Sequence, residues 1–224
     1  MSRRVPRAAL ELDAVRTAAG LLGTLMTHAG PQGSVTVRLT EVEAYAGPLD
    51  PGSHAYRGPT PRTRIMFGPA GFLYVYFTYG MHWCANVVCG PDGEASAVLL
   101  RAGEVVDGVA LARSRRPAAR SDVDLARGPA RLAAALGLAR EHGGTDLCAP
   151  GAPVWLEPGA GGRLPAVHVG PRVGVAGAGG DGAVFPWRFW LAGEPTVSLY
   201  RPGISRRRGS GAGGRLSAGS VSGP

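Results

Sequence analysis

The stretch LTEVEAY, residues 39–45, sets Glu41, Glu43 and Tyr45 at intervals of two. In an extended strand such residues share a face, so two carboxylates and a phenol project together. Like charges side by side repel unless a cation or a catalytic demand holds them. A carboxylate among aromatic rings can activate water as a general base, or stabilise the positive charge that builds on a sugar as its glycosidic bond breaks. The rings are supplied by GFLYVYFTYG, residues 71–80, where Phe72, Tyr74 and Tyr76 alternate onto one face. Five of the six tyrosines fall between Tyr45 and Tyr79.

Tyr79 is out of step with that alternation and directly precedes Gly80, where the chain is expected to turn. A ring at a turn tip is poorly placed for a core and well placed as a wedge. Proteins that draw a base from a duplex insert such a side chain, against an unstacking cost of a few kcal/mol. Arg57, Arg62 and Arg64, between the two strands, are candidates for phosphates, which a guanidinium fork grips bidentately.

These side chains belong to a chain of 224 residues with a formal charge of +8 and a pI near 10.2. That balance points to a polyanion or an acidic membrane surface. All 24 basic residues are arginine, a bias that a GC-rich genome also produces. The absence of lysine excludes a Walker A loop, a pyridoxal phosphate site and a lysine Schiff base. No GxSxG or HExxH occurs, and Cys84, Cys89 and Cys148 lack CxxC spacing, so neither a metal nor a cofactor is expected. GAGGDG, residues 177–182, matches the dinucleotide fingerprint in letters, yet Pro186 follows closely and forbids the helix that motif requires.

The elements that must position this chemistry can be read from spacing. Val15, Ala18, Leu22 and Leu25 recur at helical intervals behind Asp13, a candidate N-cap. Strands are predicted over SVTVRLTEVEAY, GFLYVYFTYG, CANVVCG and ASAVLLRA. A short helix follows in VVDGVALARSRR, and another in GPARLAAALGLAREHGG, from Pro129 to Gly143. Short strands are expected again at APVWLE, RVGV and RFWLAG. Residues 1–204 thus read as one domain, and residues 205–224 as a basic Gly/Ser-rich tail that is expected to be disordered. No apolar run approaches the roughly 20 residues of a membrane span. The missing targeting signals and odd cysteine count suggest the cytoplasm.

LTEVEAY, SHAYRG, TPRTRIMF, LYVYFTYGMHWCANVV and AVLLRA, in this order, closely resemble the alkyladenine (3-methyladenine) DNA glycosylase family. The resemblance runs from the first helix to about Ser198. It implies one mixed α/β (α+β) domain with a curved, mainly antiparallel sheet, flanking helices and no helix-hairpin-helix. It further implies an enzyme that flips a damaged purine from double-stranded DNA and hydrolyses its N-glycosidic bond; the missing lysine amine makes that enzyme monofunctional, and action at the nucleoid without an obligate protein partner is expected. Glu43 is similar to the family's general base. Arg101 and the Val173 carbonyl are similar to the groups that hold the attacking water. Tyr45, His54 and Tyr76 resemble the walls of the base pocket, and Asn86 the side chain that crowds the amine of ordinary guanine. Tyr79 resembles the residue that fills the gap left in the duplex. His82 departs from the pattern, since some members carry an aromatic residue there. Glu41 is read either as a group that orients its neighbours or, in preference, as a solvated neighbour. A noncatalytic DNA- or RNA-binding module would use the same arginines and rings but has no use for Glu43. A small-molecule glycoside hydrolase would need its two carboxylates on opposite sides of the scissile bond.

Overall fold

The structure is a computed structural model and describes residues 4–78, 80–159 and 161–204. Tyr79 and the arginine-rich tail therefore lie outside the described residues. Within them the chain forms a mixed α/β domain on an eight-stranded antiparallel sheet. The strands are β1 (Leu25–Gly30), β2 (Gly33–Tyr45), β3 (Leu73–Thr78), β4 (His82–Val88), β5 (Ala97–Asp107), β6 (Val154–Glu157), β7 (Val167–Gly170) and β8 (Arg188–Leu191). They run in the order β3-β4-β5-β2-β1-β6, with β8 pairing both β2 and β7.

The long β2 organises the sheet. Its first half pairs with β1 and its last residues pair with β8, while β5 lines its other side. The β2–β5 register slips on both sides of Glu41. Such irregularities bend a strand and re-aim its side chains.

Alternation along the strands divides the sheet. Val42, Leu73, Val87, Val98 and Leu100 are buried in the main core. That core is completed by α1 (Ala14–Leu21) and α3 (Pro129–Leu136), which pack on β2 and on β4 and β5. The Asp13 carboxylate accepts from the Arg16 N–H at 2.9 Å and caps α1 as its position predicts. Burial of Leu132 and Leu136 on α3 stabilises the contact, and truncating either to alanine costs about 2–5 kcal/mol.

Three sequence expectations need correction. The third helix ends at Gly137, not Gly143, because Gly137 takes the left-handed conformation (φ 73°) that closes a helix. RVGV forms a turn, since its backbone leaves the sheet to face the loop after β2. β1 and β7 went unpredicted: LMTHAG lacks strict alternation and its Leu25 falls at a helical interval from Leu22, although the first helix ends at Leu21, while VHVG alternates over too few residues to mark a strand. GAGGDG makes a single 3-10 turn. A Cβ on Gly179 would overlap the Gly52 backbone, so the glycines there serve a close approach between two loops.

Among the described residues no helix is long and apolar enough to cross a membrane. No group of three or more His, Cys, Asp or Glu side chains is arranged there to hold a metal ion.

Candidate active site

On the face opposite the core, strand register places five residues in one lateral row. Tyr74 lies opposite Asn86, Asn86 opposite Leu99, Leu99 opposite Glu43, and Glu43 opposite Arg188. Rings from β3, an amide from β4 and a carboxylate from β2 thus meet across four strands. Loops 46–72 and 171–176 cover part of this face and leave a cavity of about 310 Å³ with Glu43 in its wall. That size suits a small planar ligand.

Glu43 is fully buried, and the three groups that face it are donors. The Val173 N–H donates to Oε1 at 2.7 Å, the Tyr45 hydroxyl donates to Oε2 at 2.9 Å, and Arg101 Nη1 lies 3.3 Å from Oε1. An ionised carboxylate only accepts hydrogen bonds, so the surroundings suit the anion. Burial, and then the Glu43 charge, push the Tyr45 phenol well above its ordinary range, which keeps it a donor. Burial disfavours the Arg101 charge, but the two glutamates outweigh it and its pKa is raised.

Tyr45 is backed by Arg172, whose guanidinium carbon lies 4.4 Å from the ring centroid. Arg172 is fully buried and donates to both oxygens of Asp50, at 2.5 and 2.6 Å. It also donates to the carbonyls of Ala44 and Gly179.

The opposite wall is aromatic. Tyr74 and Tyr76 stack at 5.5 Å, and His54 stands edge-on to Tyr76 at 4.6 Å. Arg62 lies 5.2 Å from the Tyr76 ring centroid, donates to the Tyr74 hydroxyl at 3.2 Å and donates to His54 Nε2 at 3.0 Å. Only a neutral imidazole can accept that bond. Burial, followed by the Arg62 charge, accordingly pushes His54 down to about 4, although its outer edge stays exposed. Asn86 Nδ2 donates to the Tyr74 carbonyl at 3.1 Å, which fixes the amide in the wall. Cys84 also lines the cavity, and burial raises its thiol pKa, so it is poorly suited as a nucleophile.

Glu41 corrects an expectation. It is not solvated but fully buried, 3.0 Å from Arg101 Nε and 2.7 Å from Arg188 Nε.

The sequence pattern of the methylpurine-DNA glycosylase family matches residues 8–195, nearly the whole described domain. The chain belongs to that family. It is 58% identical over 189 residues to a Streptomyces avermitilis protein, covering 84% of this chain and 87% of the relative. It is 54% identical over 204 residues to one from Leifsonia xyli, covering 87% and 92%, and 53% identical over 199 residues to one from Nocardia farcinica, covering 86% and 89%. All three carry the name "Putative 3-methyladenine DNA glycosylase".

In this methylpurine-DNA glycosylase family member, Glu43, Tyr45, His54, Tyr76, Asn86, Arg101 and Val173 all line the one cavity. Arg57 and Arg64 are exposed on the loop before β3, whereas Arg62 is engaged by the pocket rings. Phe77 and Met81, on either side of Tyr79 in the sequence, are exposed.

A second concavity, of about 610 Å³, adjoins the first and shares Arg101 and Val173 with it. Arg116, Arg120, Arg127, Arg131 and Arg201 line it against one acid, Asp124. Burial, and then Arg131, push Arg116 below its usual range, as expected where cations crowd together. Spacing gave no hint of this groove, because its arginines are scattered from 101 to 201 in a chain rich in arginine. Arg172 was also missed; its partner Asp50 lies 122 residues away.

Proposed function

We propose that the protein is a monofunctional DNA glycosylase of base excision repair that hydrolyses the N-glycosidic bond of an alkylated or otherwise damaged purine, leaving an abasic site. The flipped base enters the cavity between Tyr45 and the Tyr76–His54 wall, and the backbone N–H of His54 reads its edge. Glu43 takes a proton from the water that attacks the sugar C1′, while Arg101 and the Val173 carbonyl hold that water. As the C–N bond breaks, its electron pair leaves with the base, and the carboxylate also stabilises the oxocarbenium character on the sugar. An alkylated, cationic purine leaves neutral; a neutral lesion needs a proton from elsewhere.

Asn86 crowds the exocyclic amine of ordinary guanine. Tyr79 fills the gap in the duplex, and the exposed Phe77 and Met81 beside it fit a hairpin tip that meets stacked bases. The arginine groove, together with Arg57 and Arg64, suits the phosphates of the lesion strand.

The observation that carries this reading is Glu43, buried among three donors in the wall of a ring-lined cavity, in a chain of this family. The experiment is release of free base, without added metal, from duplexes that each carry one alkylated adenine, alkylated guanine, hypoxanthine or ethenoadenine. Wild-type protein releases at least one of them. Glu43→Gln binds the same duplex but loses at least about 10²-fold in rate, the lower range for removal of a general base. Salt-sensitive binding with no release from any duplex would instead indicate a noncatalytic nucleic-acid-binding module.

A further inference from the structure

Glu41 sits two residues before Glu43 and takes no part in the reaction just described, yet it is fully buried and accepts four hydrogen bonds. Its Oε1 accepts from Arg188 Nε at 2.7 Å, from the Ser198 hydroxyl at 2.9 Å and from Arg101 Nε at 3.0 Å. Its Oε2 accepts from the Ser198 N–H at 2.7 Å. Burying a carboxylate is costly unless it is paired and fully hydrogen-bonded, and here it is both. Arg188 is fixed in turn by donating from Nη2 to the Ser198 carbonyl at 2.8 Å.

The geometry of Arg101 shows what this arrangement achieves. A guanidinium is a rigid plane, so fixing two of its nitrogens fixes the third. Nε is committed to Glu41, and Nη2 donates to the Ser198 hydroxyl at 3.2 Å. The remaining nitrogen, Nη1, is therefore left 3.3 Å from Glu43 Oε1, beside the cavity. Two carboxylates and two guanidiniums balance in charge across the group. Without Glu41, Arg101 would be drawn to the one remaining carboxylate, and its donors would leave the place where water must sit.

We infer that Glu41, acting with Ser198, is a positioning residue for the reaction: it holds the Arg101 guanidinium back from Glu43 so that one nitrogen faces both the carboxylate and the attacking water. This rests on Glu43 being the base. The effect falls on the chemical step and leaves DNA binding alone, because Glu41 is fully buried and offers DNA no surface.

Three variants and two readouts test it. Glu41→Gln should lower the single-turnover excision rate about 10²-fold, the cost of misplacing a reacting group by about 1 Å, with an unchanged dissociation constant for the lesion duplex. Ser198→Ala should lower the rate less, also at unchanged binding, and Ser198→Thr, which restores the hydroxyl, should recover it. By NMR, the Arg101 Nε–Hε resonance, assigned by its loss in Arg101→Lys, should be protected from solvent exchange in wild type and lose protection in Glu41→Gln. A Glu41→Gln rate within about threefold of wild type would overturn the inference. So would Ser198→Ala at the wild-type rate if Glu41→Gln fails to fold. The NMR readout does not depend on turnover: if wild type releases no base, the glycosylase reading fails by itself, and an Arg101 signal unchanged in Glu41→Gln still overturns the positioning role.

Discussion

The Arg172 guanidinium carbon lies 4.4 Å from the centroid of the Tyr45 ring, and both oxygens of Asp50 accept hydrogen bonds that hold it there. A pocket ring is thus backed by a buried cation that donates hydrogen bonds to both sides of the cavity. Asp50 and Arg172 join the loop after β2 to the turn that carries Val173, so they set the distance between the two sides of the cavity.

Arg172→Ala leaves Asp50 buried without its partner and should cost about 3–5 kcal/mol in denaturant unfolding. Asp50→Asn in that background should recover part of the loss, because the orphaned charge is then gone. Equal stabilities for the single and double variants would show that the pair contributes by packing alone.

His54 gives the fold a pH dependence whose sign is set. Its pKa is about 4 in the folded chain, against an ordinary 6.5, so the fold favours the neutral ring. That contribution is complete above pH 6.5 and is lost as the pH falls towards about 4. Thermal melts across this window should show a decline that flattens in His54→Asn. The exposed edge of the ring lets water screen the effect, so the slope is shallow. An identical slope in both proteins would assign the decline to other groups.

Phosphate binding by the arginine groove should appear in the salt dependence. Each phosphate contact contributes about 0.9 to the slope of log K against log salt, so Arg120→Ala with Arg201→Ala should lower the slope by up to about 2. Affinity should fall equally for duplexes of different sequence, and the single-turnover rate of bound substrate should stay unchanged. A slope equal to wild type would remove these two arginines from the DNA path.

The chain contains no lysine, so it offers no lysine amine for a Schiff base with the opened sugar. Abasic product should therefore be cut only by later treatment with alkali. Borohydride added during turnover should trap no covalent protein–DNA complex; a trapped species would establish lyase activity.

Much of the site was legible in the sequence because alternation assigns faces. Glu43 and Tyr45 had to share one side of a strand, as did Tyr74 and Tyr76, and antiparallel pairing then brought the two sides together. Asp13 at the start of α1 was legible for a local reason, since a cap acts within one turn. What alternation cannot say is what lies over a face. Glu41 was expected in solvent because its cover, Arg188 and Ser198, comes from the far end of the chain. The third helix was predicted too long because Gly137 and Gly143 both suit a C-terminus, and only packing selects between them.

The row Tyr74, Asn86, Leu99, Glu43 and Arg188 spans four separate ladders. A slip of one residue in any ladder would set the members on its two sides on opposite faces of the sheet. No local segment, however well formed, can present Glu43 to its partners before β5 and β8 have both docked on β2. Excision activity in a refolding experiment would therefore return only with the last strand, making catalysis a reporter of finished assembly and leaving a half-folded chain unable to attack DNA.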